Sequence, residues 1–159
     1  MLKKITAIGA AAAALCWGLG TAPAQAAGMA YMHVNSAAYN LKECLDYRAD
    51  YGPYTTTCNG GAYQTWLMVD TYETLTEIRQ NVGDRLCLVA RNGQPTMRPC
   101  LANDPAALWT VHSINSPEGE QLINYATKTC LVAGSGAIHR VSLNTCGSGL
   151  SRLWSVYYA

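Results

Sequence analysis

Residues 44–66 read CLDYRADYGPYTTTCNGGAYQTW. The frame is Cys44-Leu45, a second cysteine at Cys58, and Trp66 eight residues later. It recurs as Cys87-Leu88, Cys100 and Trp109, and again as Cys130-Leu131, Cys146 and Trp154. The first cysteines step by 43 residues each time, and the tryptophans by 43 and then 45. A fixed period of this size marks a repeat architecture, in which each copy is one supersecondary unit that buries its apolar face against the others.

The N-terminus lies outside this period. Lys3 and Lys4 precede an apolar, Ala-rich run from Ile5 to about Gly20, and Ala24-Gln25-Ala26 places small residues where a signal peptidase reads. This pattern predicts a secretory signal peptide over residues 1–26, too short and Ala-rich for a membrane span. The predicted mature chain, 27–159, is one domain, large enough for a core. Without Lys3 and Lys4, nine Lys and Arg face ten Asp and Glu, a net charge of −1 with no basic block. Nucleic acid and anionic membranes are therefore poor partners, since both demand clustered positive charge. No second apolar stretch approaches membrane length, so no membrane insertion is expected.

Seven cysteines are present, and Cys16 falls in the leader. An even six in an exported chain implies disulfides. Of the fifteen possible pairings, the repeat selects Cys44–Cys58, Cys87–Cys100 and Cys130–Cys146, one per copy. Each closes a short loop worth about 3 kcal/mol on the chain-entropy account. No C-x-x-C pair exists, and His33, His112 and His139 fall at no ligand spacing, so no metal or cofactor is expected.

Within each copy, strand-forming runs alternate with turn signals. The first copy reads as strands over 29–34, 42–47, 54–58 and 64–72. The second reads as strands over 75–80, 86–89, 95–100 and 108–114. The third reads as strands over 121–125, 129–132, 140–146 and 153–157. Turns such as Asn59-Gly60-Gly61, Arg91-Asn92-Gly93 and Gly147-Ser148-Gly149 separate them. Twelve short strands in three copies, about 27–71, 72–115 and 116–159, predict an all-β, pseudo-threefold closed barrel. Closure would remove exposed sheet edges. With no Phe in the chain, aliphatic residues and one Trp per copy must fill the core.

The pattern Cys-Leu-(Asp), Cys, Gln-x-Trp, recurring three times in its cysteines, leucine and tryptophan and intact in the first copy, resembles the ricin B-type lectins. The resemblance implies a β-trefoil and a secreted lectin that binds galactose or a related sugar in a shallow pocket on each competent repeat. In that family an Asp after Cys-Leu, a loop aromatic and an amide before the tryptophan recur. The chemistry fits: a carboxylate accepts two hydroxyls, an aromatic face covers the C–H side of a sugar ring, and an amide both donates and accepts. Carried over residue by residue, only the first copy qualifies, with Asp46, Tyr51, Tyr54 and Gln64 as carbohydrate-binding candidates. Gln64 is assigned first to orienting the Asp. The second and third copies place Val89 and Val132 where the acid belongs, and Ala107 and Arg152 where the Gln belongs.

Two other readings stand beside this one. A trefoil that has lost sugar binding would serve as a protein-interaction module, an inhibitor or a targeting subunit, with a separate secreted protein chain as partner. An enzyme is not expected: no Gly-x-Ser-x-Gly elbow and no general acid–base pair can be read from the chain. His139-Arg140 lies in the third copy's loop, where an atypical site would fall.

Overall fold

Each Cys-Leu pair stands on a short strand, and the computed structural model shows what surrounds it. It describes residues 28–34, 43–72, 74–135 and 137–158. The signal peptide over 1–26, and Lys42 at the start of the strand expected over 42–47, lie outside the described residues. The first repeat contributes β1 (Gly28–Val34), β2 (Glu43–Arg48), β3 (Gly52–Thr57) and β4 (Thr65–Tyr72). The second contributes β5 (Leu75–Gln80), β6 (Cys87–Arg91), β7 (Gln94–Arg98) and β8 (Leu108–Ser113). The third contributes β9 (Glu120–Asn124), β10 (Cys130–Val132), β11 (His139–Arg140), β12 (Ser142–Asn144) and β13 (Trp154–Tyr158).

Six strands form a ring. β1 pairs β4, β4 pairs β5, β5 pairs β8, β8 pairs β9, β9 pairs β13, and β13 returns to β1, all antiparallel. Three hairpins hang from the ring: β2–β3 from β1, β6–β7 from β5, and β10–β12 from β9. In every copy the first cysteine sits at the junction, with Cys44 opposite His33, Cys87 opposite Arg79 and Cys130 opposite Ile123. A six-stranded barrel with three capping hairpins is a β-trefoil. The hairpin turn at Asn92-Gly93 has φ of 52° and 72°. Those left-handed values are what a two-residue hairpin with the right twist requires, and Asn-Gly supplies them at little strain.

The core follows from the repeat. Trp66, Trp109 and Trp154 are fully buried, with Leu45, Leu88 and Leu131 beside them and Ile78, Leu122 and Met68 completing the cluster. The indole N–H of each tryptophan donates to the carbonyl of the leucine in its own Cys-Leu pair. The distances are 3.1 Å for Trp66 to Leu45, 2.8 Å for Trp109 to Leu88 and 3.0 Å for Trp154 to Leu131. This satisfies the one polar atom of a large buried ring and ties each hairpin to the barrel strand that closes its repeat. The disulfides Cys44–Cys58, Cys87–Cys100 and Cys130–Cys146 staple the same hairpins, as the repeat predicted.

Two details depart from the sequence reading. Residues 140–146 were expected to form one strand, but β11 and β12 divide that stretch, giving thirteen strands rather than twelve. β11 pairs with β3 of the first repeat, and β12 pairs with β10 of its own. The division follows a close approach of backbones: a Cβ on Gly134 would lie 1.9 Å from the Arg140 carbonyl oxygen, while Val141 N–H donates to the Pro53 carbonyl at 3.2 Å. Gln64 was expected to begin a strand. Instead residues 62–64, like 105–107 and 150–152, form a single 3-10 turn just before each repeat's last strand.

Each tryptophan therefore couples ring packing to a buried hydrogen bond that holds its repeat's hairpin. Trp66→Phe, Trp109→Phe and Trp154→Phe are each expected to cost about 2–4 kcal/mol, from lost volume plus an unsatisfied carbonyl. Urea unfolding with the disulfides intact measures this. A cost under about 1 kcal/mol in any copy would show that the bond is dispensable there.

Candidate functional site

The first hairpin ends in a turn over residues 48–51, where Tyr51 N–H donates to the Arg48 carbonyl at 3.1 Å and Gly52 takes a φ of 75°. Asp46 lies one turn of the pleat before it, on the run Cys44-Leu45-Asp46, all three buried. A carboxylate that is only 6% exposed needs partners. Its Oδ1 accepts from the Tyr47 backbone N–H at 2.6 Å, and its Oδ2 accepts from Gln64 Nε2 at 3.0 Å. Gln64 is itself fully buried and fully used. Its Nε2 also donates to the Thr57 carbonyl at 3.1 Å, and its Oε1 accepts the Asn59 N–H at 2.8 Å. Gln64 thus ties the 58–64 loop to β3 and holds the Asp46 carboxylate in one orientation. A carboxylate offers about four acceptor positions, so the two internal bonds leave capacity toward the outside.

Outside is a cleft of about 520 Å³, lined by Asp46, Tyr47, Arg48, Tyr54, Asn59 and Tyr63 among others. That volume falls in the usual range for small-molecule sites. Tyr63, in the 3-10 turn at 62–64, is 56% exposed, a large ring held in solvent. Burial first, and the Asp46 carboxylate second, hold the Tyr54 phenol above its ordinary value, so it stays a neutral donor and acceptor. The rim is braced by Arg48. Its Nε and its Nη2 donate to the two oxygens of Asp50 at 3.1 and 2.9 Å, and its guanidinium lies 4.1 Å from the centroid of the Tyr51 ring.

The structure thus brings Asp46, Tyr54 and Gln64 together. Gln64 stands behind the acid rather than in the cleft wall. Tyr51 is placed differently. The turn carries it into a neighbouring cleft of about 400 Å³, where its ring meets Tyr54 edge-on at 5.4 Å. Sequence reasoning passed over Tyr63 and Asn59 as candidates. The signal was present in Asn59 to Tyr63, directly before Gln64-x-Trp66, but reading it requires knowing how that loop folds.

The other copies differ in chemistry. Val89 and Val132 are buried at the position of Asp46, and Ala107 is fully buried at that of Gln64. Arg152, in the third copy, turns its Nε to the Thr145 carbonyl at 2.9 Å. Neither copy has an acid after Cys-Leu. Among the described residues, no group of three or more His, Cys, Asp or Glu side chains converges as metal ligands would.

A buried acid held by an amide thus stands on a trefoil hairpin, with tyrosines in the wall of the cleft outside it. The sequence model of the ricin-type β-trefoil lectin domain matches residues 30–154, and the chain belongs to that family. Membership supports a carbohydrate-binding role. No curated protein sequence matches the chain. Among solved structures it is similar to the Polyporus squamosus lectin bound to a human-type influenza-binding epitope. The TM-score is 0.68 at 15% identity, over 83% of this chain and 49% of that one, so this chain spans about half that lectin's length. It is also similar to SeviL bound to asialo-GM1 saccharide, with a TM-score of 0.66 at 16% identity over 84% of this chain and 99% of the other. The Haemophilus ducreyi cytolethal distending toxin gives a TM-score of 0.66 at 12% identity, over 80% and 81%. At these identities the likenesses speak for the fold. Three disulfides point to an extracellular protein, and no described helix is long and apolar enough to cross a membrane.

Two measurements probe the site without any ligand. Gln64→Ala is expected to cost about 2–4 kcal/mol in urea unfolding, because it strands the Asn59 N–H, the Thr57 carbonyl and one side of Asp46. A loss under about 1 kcal/mol would show that Gln64 is not the tie. The raised Tyr54 value favours the neutral phenol in the folded state. That stabilisation is complete below the ordinary tyrosine value of about 10 and is lost as pH rises through the higher folded value. An ultraviolet titration of wild type minus Tyr54→Phe is expected to place the ionisation of Tyr54 above that ordinary value. An ionisation at or below it would contradict the packing described.

Proposed function

We propose that this protein is an exported lectin. Residues 1–26 direct export and 27–159 form one binding domain with three repeats. The sugar, galactose or a related glycan, binds mainly at the first repeat. Asp46 accepts two adjacent hydroxyls, Tyr54 and Tyr63 cover the C–H face of the ring, and Gln64 positions the acid. Tyr51 acts beside them, at the far side of Tyr54. The observation that carries this reading is the Asp46–Gln64 couple, a polar pair buried under an open cleft in one copy and replaced in the other two. In a trefoil whose core is otherwise nearly symmetric, that polar exception has a reason if a ligand uses it. No catalytic step is proposed. Asp50, the other acid in the wall of the cleft, is held by Arg48.

One open site on one domain gives weak binding, near the millimolar level, about −4 kcal/mol. Useful avidity then comes from presentation: a dense glycan surface or several copies acting together. A second reading, a trefoil that docks on a separate secreted protein, is favoured by Val89 and Val132, which leave two of three hairpins without an acid.

A glycan array followed by titration with galactose and lactose tests the proposal. Asp46→Asn keeps the shape and one hydrogen-bonding oxygen but loses the charge, and is expected to weaken binding at least about tenfold. Circular dichroism checks that the fold is intact. Absence of any glycan response from the wild type, together with recovery of a stoichiometric protein partner from culture supernatant, would decide for the second reading.

A further inference from the structure

The neighbouring cleft belongs to no single repeat. It opens between the first hairpin and β11, the short strand that leaves the third repeat to pair with β3, with His139 opposite Thr55 and Arg140 opposite Tyr54. Its walls include Glu43, Tyr51, Tyr54, Thr56, Ile138 and His139. It shares Arg48 and Tyr54 with the Asp46 cleft, so the two clefts meet at those side chains.

Its chemistry matches that of the first cleft. Glu43 is held as Asp46 is, by internal bonds: its Oε2 accepts from Thr55 Oγ1 at 2.7 Å and meets His139 Nδ1 at 2.8 Å. The Glu43 side chain is only 16% exposed, yet two bonds leave acceptor positions on its carboxylate. Thr56 and Thr57 carry hydroxyls that both donate and accept. Tyr51 and Tyr54 stand edge to face, so their rings meet a ligand from two directions. The one arginine of this wall, Arg48, is already engaged by Asp50 and stacked on Tyr51. Among the described residues of this wall there is no lysine and the arginine is engaged, whereas the hydroxyls and C–H faces of a neutral sugar chain match Thr56, Thr57, Tyr51 and Tyr54.

We infer that this second cleft is an extension subsite, and that the ligand is an oligosaccharide lying across Tyr54 with one sugar over Asp46 and the next units between Tyr51, Glu43 and His139. The inference rests on the lectin reading above and adds its substrate class: chains of two or more sugars rather than single sugars. It also accounts for the detour of β11. The third repeat has no acid after its own Cys-Leu, and it supplies instead one wall of the first repeat's site.

The test compares galactose, lactose and the tetrasaccharide lacto-N-neotetraose, whose terminal sugar is galactose, by titration and by amide chemical-shift mapping on the wild-type protein. The tetrasaccharide is expected to bind about tenfold or more tighter than galactose, as several added hydrogen bonds allow. It is also expected to shift the amides of Thr56, Ile138 and His139, with galactose shifting only those around Asp46. Thr56→Val, an isosteric change on a strand, is expected to lower tetrasaccharide affinity about three- to tenfold and so reduce the preference for length. Equal affinity for galactose and the tetrasaccharide, or tighter tetrasaccharide binding that leaves Thr56 and His139 unshifted and survives Thr56→Val, would overturn the subsite and leave the lectin standing. Failure of all three sugars to bind the wild type, with no response on the glycan array, would overturn both.

Discussion

The bond from each tryptophan indole to the leucine carbonyl of its own Cys-Leu pair organises this molecule. A trefoil must fix three hairpins against a barrel only six strands around, and its short strands give few ladder bonds. The indole spans that joint from inside. Its ring fills the axis, where there is no phenylalanine to help, and its N–H catches the hairpin at the residue next to the disulfide. The same leucine packs its side chain into the core while its carbonyl takes the bond. One residue pair therefore sets both the packing and the register of each repeat, which explains why Cys, Leu and Trp persist in all three copies while most other positions have drifted.

With the frame held by those residues, the position after Cys-Leu is free to change. It is buried in all three hairpins, so it accepts either an apolar side chain or a polar one with complete internal partners. Valine takes the first course in two copies. Asp46 takes the second, and it can do so only because Gln64 reaches it from the 3-10 turn before Trp66. An acid at 46 with alanine at 64 would leave one carboxylate oxygen without its internal partner. The pair is consequently one unit, placed on a frame that does not need it. The proposed sugar site rests on that separation between the frame and the couple.

Legibility in the sequence divided along the same line. Features set by contacts repeated three times could be read directly: the disulfide partners, the core tryptophans, the strand grammar and the closed barrel. Asp46 and Gln64 could be read because they break the repeat. What could not be read depends on loops that occur once. Tyr51 and Tyr54 are three residues apart and looked alike, but the turn at 48–51 and the positive φ of Gly52 send Tyr51 past the Asp46 cleft and into the next. Tyr63 faces solvent because a three-residue 3-10 turn, too short to show a period, replaces the expected start of β4.

The third repeat shows how a small excess of chain becomes a new contact. Its disulfide joins residues 16 apart, against 14 and 13 in the others. A loop this short cannot store two or three extra residues in an extended hairpin without breaking its pairing. Gly134 lets the backbone at Arg140 come close, and the surplus leaves the hairpin as β11, to be satisfied by β3 of the first repeat. The first repeat thus gains a partner strand on the side of the hairpin where Tyr51 points, with His139 anchored on Glu43. Pseudo-threefold symmetry is lost at one place in two ways, by an acid within the first copy and by a strand lent from the third. Both losses fall on the first repeat's hairpin.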